Sequence, residues 1–569
     1  MKKIAILVLS ALVILTMSNC NGLKKMLKNA DDINYKVNPE MLEMHNGKVS
    51  VDISGKFPEK YFNKKVTATI TPVLVYENGE KALTPVYVEG EKIKGNAKVI
   101  NYKPGGAFSY KETFEYQPEM RKSVLELRVT AARKSKSVDF PAEKIANGII
   151  ATPELVEKVG KTSPAKDKFV KDIPDSKTSV INYDKNSWAL KNNELRKDDF
   201  TTFKDYVKNA SEDELIQLIS LEVSSAASPE GAEDFNQKVS DGRSTTGNNT
   251  IKNEFKKIDE FKNNDFYKSS TIIEDWDGFK NLVSESNLAD KDMILRVIAM
   301  NSDPVRREQE IRNMSKTFEE LEKEILPKLR RSEYKLNVLL IGHTDEEIES
   351  IYSTNPSALT VEELLYLGAK TTELDQKNQI YKTTSEIYPK DWRGFNNNGV
   401  TLYQKGNYSE AKLAIEKAKS IETNATILNN LANIYLVEGK IEEAETTYKS
   451  ATGVSEASEG LGAISIIKGD YKNAIDLFGN NCSQNAGLAK ILNNDYDGAL
   501  KSIDCSPDKE EALSYYLKAI IGARKNDENT ALSNLKTACS KDANLKVRAS
   551  QDMEFFKYVE KSEFKAIIK

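Results

Sequence analysis

Side chains that carry out covalent chemistry are scarce in this sequence. Its two histidines, His45 and His343, stand far apart in the chain. Neither belongs to a His-Glu-x-x-His zinc pair. No Cys-x-x-Cys, Walker A, Gly-x-Gly-x-x-Gly or Gly-x-Ser-x-Gly motif occurs. Metal hydrolysis, phosphoryl transfer and serine-hydrolase chemistry therefore have no apparatus, and no spacing marks the paired carboxylates of a glycan hydrolase. The expectation is a non-enzymatic chain with no metal and no cofactor. A net charge of −4 with 30% charged residues gives no global basic surface for nucleic acid. What remains is recognition chemistry, carried by one arginine and a set of asparagines. Arginine presents a fork of donors that suits a carboxylate, and an asparagine amide offers a peptide group both a donor and an acceptor.

The arginine is Arg243. It closes a series that runs from Gly231 through Asn236 to Val239-Ser240-Asp241-Gly242-Arg243. The spacing from glycine to arginine resembles that of the OmpA-like domain, a periplasmic fold that binds peptidoglycan in many Gram-negative envelope proteins. The resemblance implies that Arg243, with Gly231 and Asn236, faces the diaminopimelate end of a stem peptide. The family places an aspartate where this chain has Ser228. An ammonium and a carboxylate need opposite charges close by, so only half of that pair survives, unless Glu230 or Glu233 supplies the acid. A second cue is Leu329-Arg330-Arg331-Ser332-Glu333, which opens a strand over Tyr334–Ile341 and is similar to the family's closing strand. Between these cues we expect a strand from Val180, a helix near Asp198–Asn209 and a strand roughly over Leu215–Ser224. The long stretch before Arg331 implies a helical insertion over about 245–328, with Trp276 packing it against the sheet. Gly342-His343-Thr344-Asp345 spells the family's own ligand motif, but it precedes a helical run, so Thr344 or Asp345 reads as a helix cap.

The asparagines belong to a repeat. In the stretch Gly399–Ala418, small residues at Gly399, Ala411 and Ala418 alternate with large ones at Leu402, Tyr408 and Ile415. The series returns at Ala432, Tyr435, Gly439, Ala444, Tyr448 and Ala451, then at Gly462, Gly469, Tyr471, Ala474 and Phe478. Weaker copies follow at Gly487, Tyr496, Ala499 and Ile503, and at Ala519, Ala531, Leu535 and Ala538. This resembles the tetratricopeptide repeat (TPR), a helix pair of about 34 residues that buries its apolar face only by stacking on its neighbours. The expected array is an all-α superhelix. Its first helices line a groove for a protein or peptide, with Asn396, Asn397, Asn429 and Asn430 as the candidate contacts to an extended ligand. Each of them also reads as an exposed helix residue.

The N-terminus carries Lys2-Lys3, an apolar run from Ile4 to Met17 and Ser18-Asn19-Cys20. This reads as a signal peptide, and the placement of Cys20 resembles a bacterial lipoprotein signal, which implies that Cys20 becomes the lipidated first residue. Three cysteines then remain. Cys482 and Cys505 follow the second helices of adjacent repeats and form a candidate disulfide, while Cys539 reads as a lone structural thiol. Period-two alternation at Val49-Val51-Ile53, Val66-Ala68-Ile70 and Leu125-Leu127-Val129, with turn signals between, predicts a β-sandwich.

The expected fold is thus multidomain. A signal peptide over 1–19 precedes a lipidated tether over 20–46, a β-sandwich over 47–150 and a linker over 151–179. An α/β OmpA-like domain spans 180–345, and the TPR superhelix with a C-terminal capping helix spans 346–569. The combination resembles outer-membrane lipoproteins of Gram-negative anaerobes. It implies a palmitate-bearing tether and scaffold on the periplasmic face of the outer membrane, with a protein at the array and peptidoglycan or an envelope partner at Arg243. The alternative is an accessory subunit of an outer-membrane assembly or export machine that no longer binds peptidoglycan.

Overall fold

The computed structural model describes residues 21–569. The expected signal peptide and Cys20 lie outside the described residues. The chain divides into two compact units, one formed by the segment up to Ala165 together with Glu373–Lys569, the other by Lys166–Thr372.

In the first unit the alternating strands pair as their periodicity dictates. Lys48–Phe57 runs antiparallel to Gly106–Glu115, and Thr67–Tyr76 runs antiparallel to Ser123–Arg133. Val49, Val51, Ile53 and Phe57 point into one core with Ile70, Leu74, Leu125, Leu127 and Val129. Gly55 lies opposite Phe108, whose ring crosses the space a Cβ would take, with Cε1 only 2.1 Å from that position. The result differs from a two-sheet sandwich. Eleven strands form one hydrogen-bonded sheet. The join is the strand Met41–His45, antiparallel to Lys48–Phe57 on one side and parallel to Glu143–Ile150 on the other. The sheet curls around its core.

The expected tether over 20–46 is also corrected. Asn21–Lys28 is a helix that buries Leu23 and Met26 in the sheet's core, and the Tyr61 hydroxyl donates to the Met26 carbonyl at 2.8 Å. Asn34–Asn38 is a strand paired with Lys48–Phe57. A few apolar residues at the right period outweigh a polar composition, because burial depends on position and not on average hydropathy.

The helical part of this unit stacks pairs Trp392–Gln404/Tyr408–Ile421, Ala425–Val437/Ile441–Ser450, Ala457–Ile467/Tyr471–Phe478, Gln484–Leu492/Tyr496–Asp504 and Ala512–Arg524/Glu528–Lys541. One spacing recurs in all five. A small residue in the first helix stands 16 positions before a large one in the second (415 − 399, 448 − 432, 478 − 462, 503 − 487 and 535 − 519). A Cβ on Gly399, Gly462 or Gly487 would sit 2.6, 2.6 or 2.5 Å from Ile415, Phe478 or Ile503 respectively, so the helices meet there at backbone distance. The turn inside each pair needs a left-handed residue, and Gly406, Gly439, Gly469, Asn494 and Asn526 all have φ between 57 and 78°. Asparagine, the non-glycine residue most tolerant of that region, keeps the turn where glycine is lost, and this is why the fourth and fifth copies look weak in sequence. A helix Ser562–Ile567 buries Phe564 and Ile567 at the end of the array.

The second unit is an α/β layer with an appended helical cluster. Its four strands lie in the order Asp172–Asn182, Arg331–Ile341, Ile216–Ala226, Tyr267–Ile272, with only the last pair parallel. Helices Asp198–Glu212 and Glu233–Glu254 bring Phe200, Phe203, Val207 and Ile251 onto Leu221, Val223, Tyr334 and Leu336. The first strand begins eight residues earlier than Val180 (180 − 172) because its exposed half is polar and is recruited only by pairing with Arg331–Ile341.

Two further boundaries and one packing partner are corrected. The long polar helix Glu233–Glu254 and the short exposed strand Tyr267–Ile272 belong to the layer, so the insertion begins after Ile272 rather than near 245. The insertion has its own core around Phe279, Val283, Ile294, Ile298 and Leu321, and Trp276 packs there, edge-on to Phe279, and not on the sheet. Finally, helices Asp345–Thr354 and Val361–Lys370 group with this unit rather than the array. His343 meets Glu363 at 2.7 Å, and Asp345 takes Tyr366 and Lys370 at 2.9 and 2.6 Å.

The close approach at Gly462 gives a direct test. Gly462→Val should lower stability by about 1–3 kcal/mol through overpacking against Phe478. A drop of several degrees in Tm is expected, whereas the same change at Gly453, where nothing lies within 4 Å of a Cβ, should act only through its φ of +86°.

Candidate functional site

Two clusters hold the recognition residues, one in each unit. In the second unit, Arg243 projects from the helix Glu233–Glu254 and is 1% exposed. Its Nε donates to the Ser187 carbonyl at 3.0 Å, Nη1 to Ala226 at 2.8 Å and Nη2 to Asp184 at 3.1 Å. The guanidinium lies 5.3 Å from the Tyr183 ring centre. Burial pushes its pKa down to about 10. The arginine therefore binds three backbone carbonyls, those of Asp184 and Ser187 in the turn after the strand Asp172–Asn182 and that of Ala226 at the end of the strand Ile216–Ala226.

The neighbours are engaged as well. Ser228 donates its hydroxyl to Glu230 Oε1 at 3.0 Å, and Arg330 reaches the same oxygen with Nη2 at 2.5 Å. Glu230 thus spends its charge on Arg330, not on a site facing Arg243, and Glu233 is exposed in the first turn of its helix. Gly231, at φ +130°, gives its N–H to Glu308 of the insertion at 2.8 Å. Asn236 is buried and donates to the Gly231 carbonyl at 3.3 Å. The Gly342–Asp345 motif is closed in the same manner. Thr344 caps the next helix in a capping box with Glu347, and the Gly342 N–H goes to the Lys171 carbonyl.

In the first unit the asparagines are buried, not exposed, and they hold a ligand that is part of the same chain. After Ile150 the chain anchors through Thr152, whose hydroxyl donates to Glu554 at 2.5 Å, and through the Ala151 carbonyl, which accepts from Arg548 at 3.2 Å. It then runs through 157–165 without helix or strand along the first helices of the repeats. The expected linker is here a strap. Asn430 accepts from the Ser163 N–H at 2.8 Å and donates to the Ser163 carbonyl at 2.7 Å. Asn397 does the same to Ala165 at 2.6 and 2.9 Å. Asn396 adds a donor to the Ser163 carbonyl at 3.3 Å, and Asn429 donates to the Lys161 carbonyl at 2.9 Å.

Three contacts were missed from sequence. Asn485 clamps both the N–H and the carbonyl of Glu157 at 2.9 Å. It stands two residues before Gly487, as Asn397 does before Gly399 and Asn430 before Ala432, so repeat position alone would have found it. Asn433, one turn beyond Asn429 and Asn430, donates to the Lys161 carbonyl at 3.0 Å. Tyr403 accepts from the Gly160 N–H at 3.2 Å, and burial pushes its hydroxyl up to about 12, so it stays protonated. The third-repeat counterpart of Asn397, Asn430 and Asn485 is Gly460, and the Tyr448 ring fills the space left there. The Tyr448 hydroxyl donates to Asn433 at 2.5 Å. No periodic pattern announces that aromatic substitute.

Cys482 and Cys505 are joined by a disulfide, and Cys539 is a buried free thiol. Among the described residues no group of His, Cys, Asp and Glu is arranged to hold a metal ion, and no helix is long and apolar enough to cross a membrane.

Comparison with known proteins identifies a tetratricopeptide repeat at residues 425–458, the second helix pair. Curated protein sequences provide no match. Similar solved structures include the APC/C hetero-tetramer Cut9-Hcn1, at 14% identity and TM-score 0.32 over 38% of this chain; the match spans 44% of that chain. A tetratricopeptide repeat protein from Parabacteroides merdae matches at 15% identity and TM-score 0.28, over 39% of this chain and 91% of its own. PilF of Pseudomonas aeruginosa matches at 17% identity and TM-score 0.26, over 39% and 96%. Residues 425–458 thus carry a tetratricopeptide repeat, and the other four helix pairs share its small-to-large spacing.

Each two-bond clamp can be tested one residue at a time. Asn430→Ala leaves the Ser163 N–H buried without its acceptor, at a cost of about 1–2 kcal/mol in closing the strap. Trypsin cleavage after Lys161 in the native protein should then speed up by about tenfold, because such cleavage follows the open population.

Proposed function

We propose that this protein is a non-enzymatic, lipid-anchored envelope scaffold whose helical array receives an extended protein segment. The observation that carries the reading is the clamp made by Asn397, Asn430 and Asn485, each of which satisfies both main-chain groups of one residue in an extended chain. Such contacts read the backbone and tolerate many side chains, which suits a docking platform.

The envelope location rests on the lipoprotein-like N-terminus with Cys20. It is supported by the Cys482–Cys505 disulfide, a bond characteristic of oxidising compartments. We read the second unit as a divergent OmpA-like domain, in keeping with its Gly231–Asn236–Arg243 series and the Arg330-Arg331 opening of its strand Arg331–Ile341. Of the two roles open to it, peptidoglycan tether or structural platform in an outer-membrane assembly, the platform is favoured by one fact. Arg243 is buried on backbone carbonyls, and the acidic residue nearest the Ser228 position is paired with Arg330. A stem peptide would have to displace both sets of bonds.

Two measurements test this reading. Expressed in a Gram-negative host, the parent should incorporate radiolabelled palmitate and Cys20→Ala should not; an unlabelled parent would overturn the lipid anchor. The mature lipid-free protein should stay in the supernatant when peptidoglycan is sedimented. Sedimentation that Arg243→Ala abolishes, with the fold intact by circular dichroism, would restore the tether role.

A further inference from the structure

The strap leaves an imprint of what the groove accepts. Along 157–165 the array contacts the main chain at Glu157, Gly160, Lys161, Ser163 and Ala165, while the side chains of Glu157, Lys158, Val159, Lys161 and Pro164 are exposed. Two side-chain positions are restricted. A Cβ on Gly160 would run into Asn433 Oδ1 and the Tyr448 hydroxyl, so any side chain there must push apart the buried Tyr448–Asn433 hydrogen bond. Ser163 is buried at 6% exposure, and its hydroxyl oxygen accepts from Asn429 at 3.0 Å, so the position takes a small residue with an acceptor. The groove is also incompletely satisfied by its own strap, since Asn429 Oδ1 is buried with no donor.

We propose that the strap is a built-in pseudo-ligand, and that the groove it fills is a site for extended peptides carrying glycine three residues before serine. This deepens the scaffold reading above and rests on it. It commits the partner to a chemistry: an unstructured segment with Gly-x-x-Ser, a small residue two positions later, a free choice at the exposed Lys161 position and an acceptor for Gln404 at the Thr162 position, where the strap's hydroxyl lies at 3.4 Å. Because the strap is joined at both ends to folded parts of the chain, it competes as an intramolecular ligand, at an effective concentration a free peptide rarely reaches. The groove is closed until the strap is released.

The probe is a fluorescein-labelled synthetic peptide of residues 155–167, titrated with full-length mature protein and read by anisotropy. Two strap variants open the groove, Gly160→Val and Ser163→Leu, which places a large side chain at a position buried to 6% exposure, each first checked for native circular dichroism and cooperative melting. The parent should bind the peptide at least about tenfold more weakly than either variant, a difference of about 1.4 kcal/mol. Adding Asn430→Ala to an opened variant should cost binding a further factor of about ten, and a peptide with valine in place of its glycine should fail to bind. If a folded, opened variant ignores the peptide, or if the valine peptide binds equally well, the pseudo-ligand assignment is wrong. If the parent binds as tightly as the opened variants, the strap is not a competitor. The palmitate and peptidoglycan measurements are unaffected by any of these outcomes, so the two readings fail separately.

Discussion

A main chain buried away from any sheet must still satisfy its N–H and carbonyl groups, and the first unit is organised around that requirement. Residues 157–165 have no neighbouring strand, so each buried peptide group needs a side chain with a donor and an acceptor at peptide spacing. The asparagine amide is such a group. Placing one at the same helical position of the first, second and fourth helix pairs turns the periodicity of the array into a periodic set of peptide contacts. The third pair has Gly460 there, Tyr448 crosses the groove at that point, and the strap answers with Gly160.

The strap also ties the curled sheet to the far end of the array. Thr152 and Arg524 both bond Glu554, and Glu154 bridges Arg121 and Arg548 at 2.5 and 3.7 Å. A further link is His45 with Tyr471, at 2.8 Å. The side chains of Glu554, Arg524, Arg121 and Arg548 are 16% exposed or less, a setting in which removing one partner is far more costly than the pair is worth. Leu155 and Val156 join the array's own core. Sheet, strap and array are thus held by contacts spread over several hundred residues of sequence separation.

The second unit answers a similar requirement differently. The carbonyls of Asp184 and Ser187, in the turn past Asn182, and of Ala226, the last residue of its strand, converge on one point, and Arg243 reaches all three. Glu308 supplies the acceptor for the Gly231 N–H, and Glu230 neutralises Arg330. A constellation whose residue types suit an ionic ligand has become internal wiring. The insertion that provides Glu308 has a hydrophobic core of its own, which gives that carboxylate a fixed position.

Much of this protein was determined by local sequence. The 16-residue spacing of small and large positions identifies the helix pairs, since it depends only on helix geometry and a short turn. Alternation marked the long strands, and repeat position singled out Asn397 and Asn430 and would have singled out Asn485. Three things were decided by tertiary structure. The N-terminal segment joined the sheet because Leu23 and Met26 find a core that lies far off in the chain. Arg243 became a structural residue because the backbone around it, and not its own spacing, determines what its donors meet. The groove's occupant is a stretch of polar chain with no period at all, and only the fold brings Ser163 within 2.8 Å of Asn430. Periodicity encodes which face of an element is buried, but it carries no information about which distant segment will cover that face.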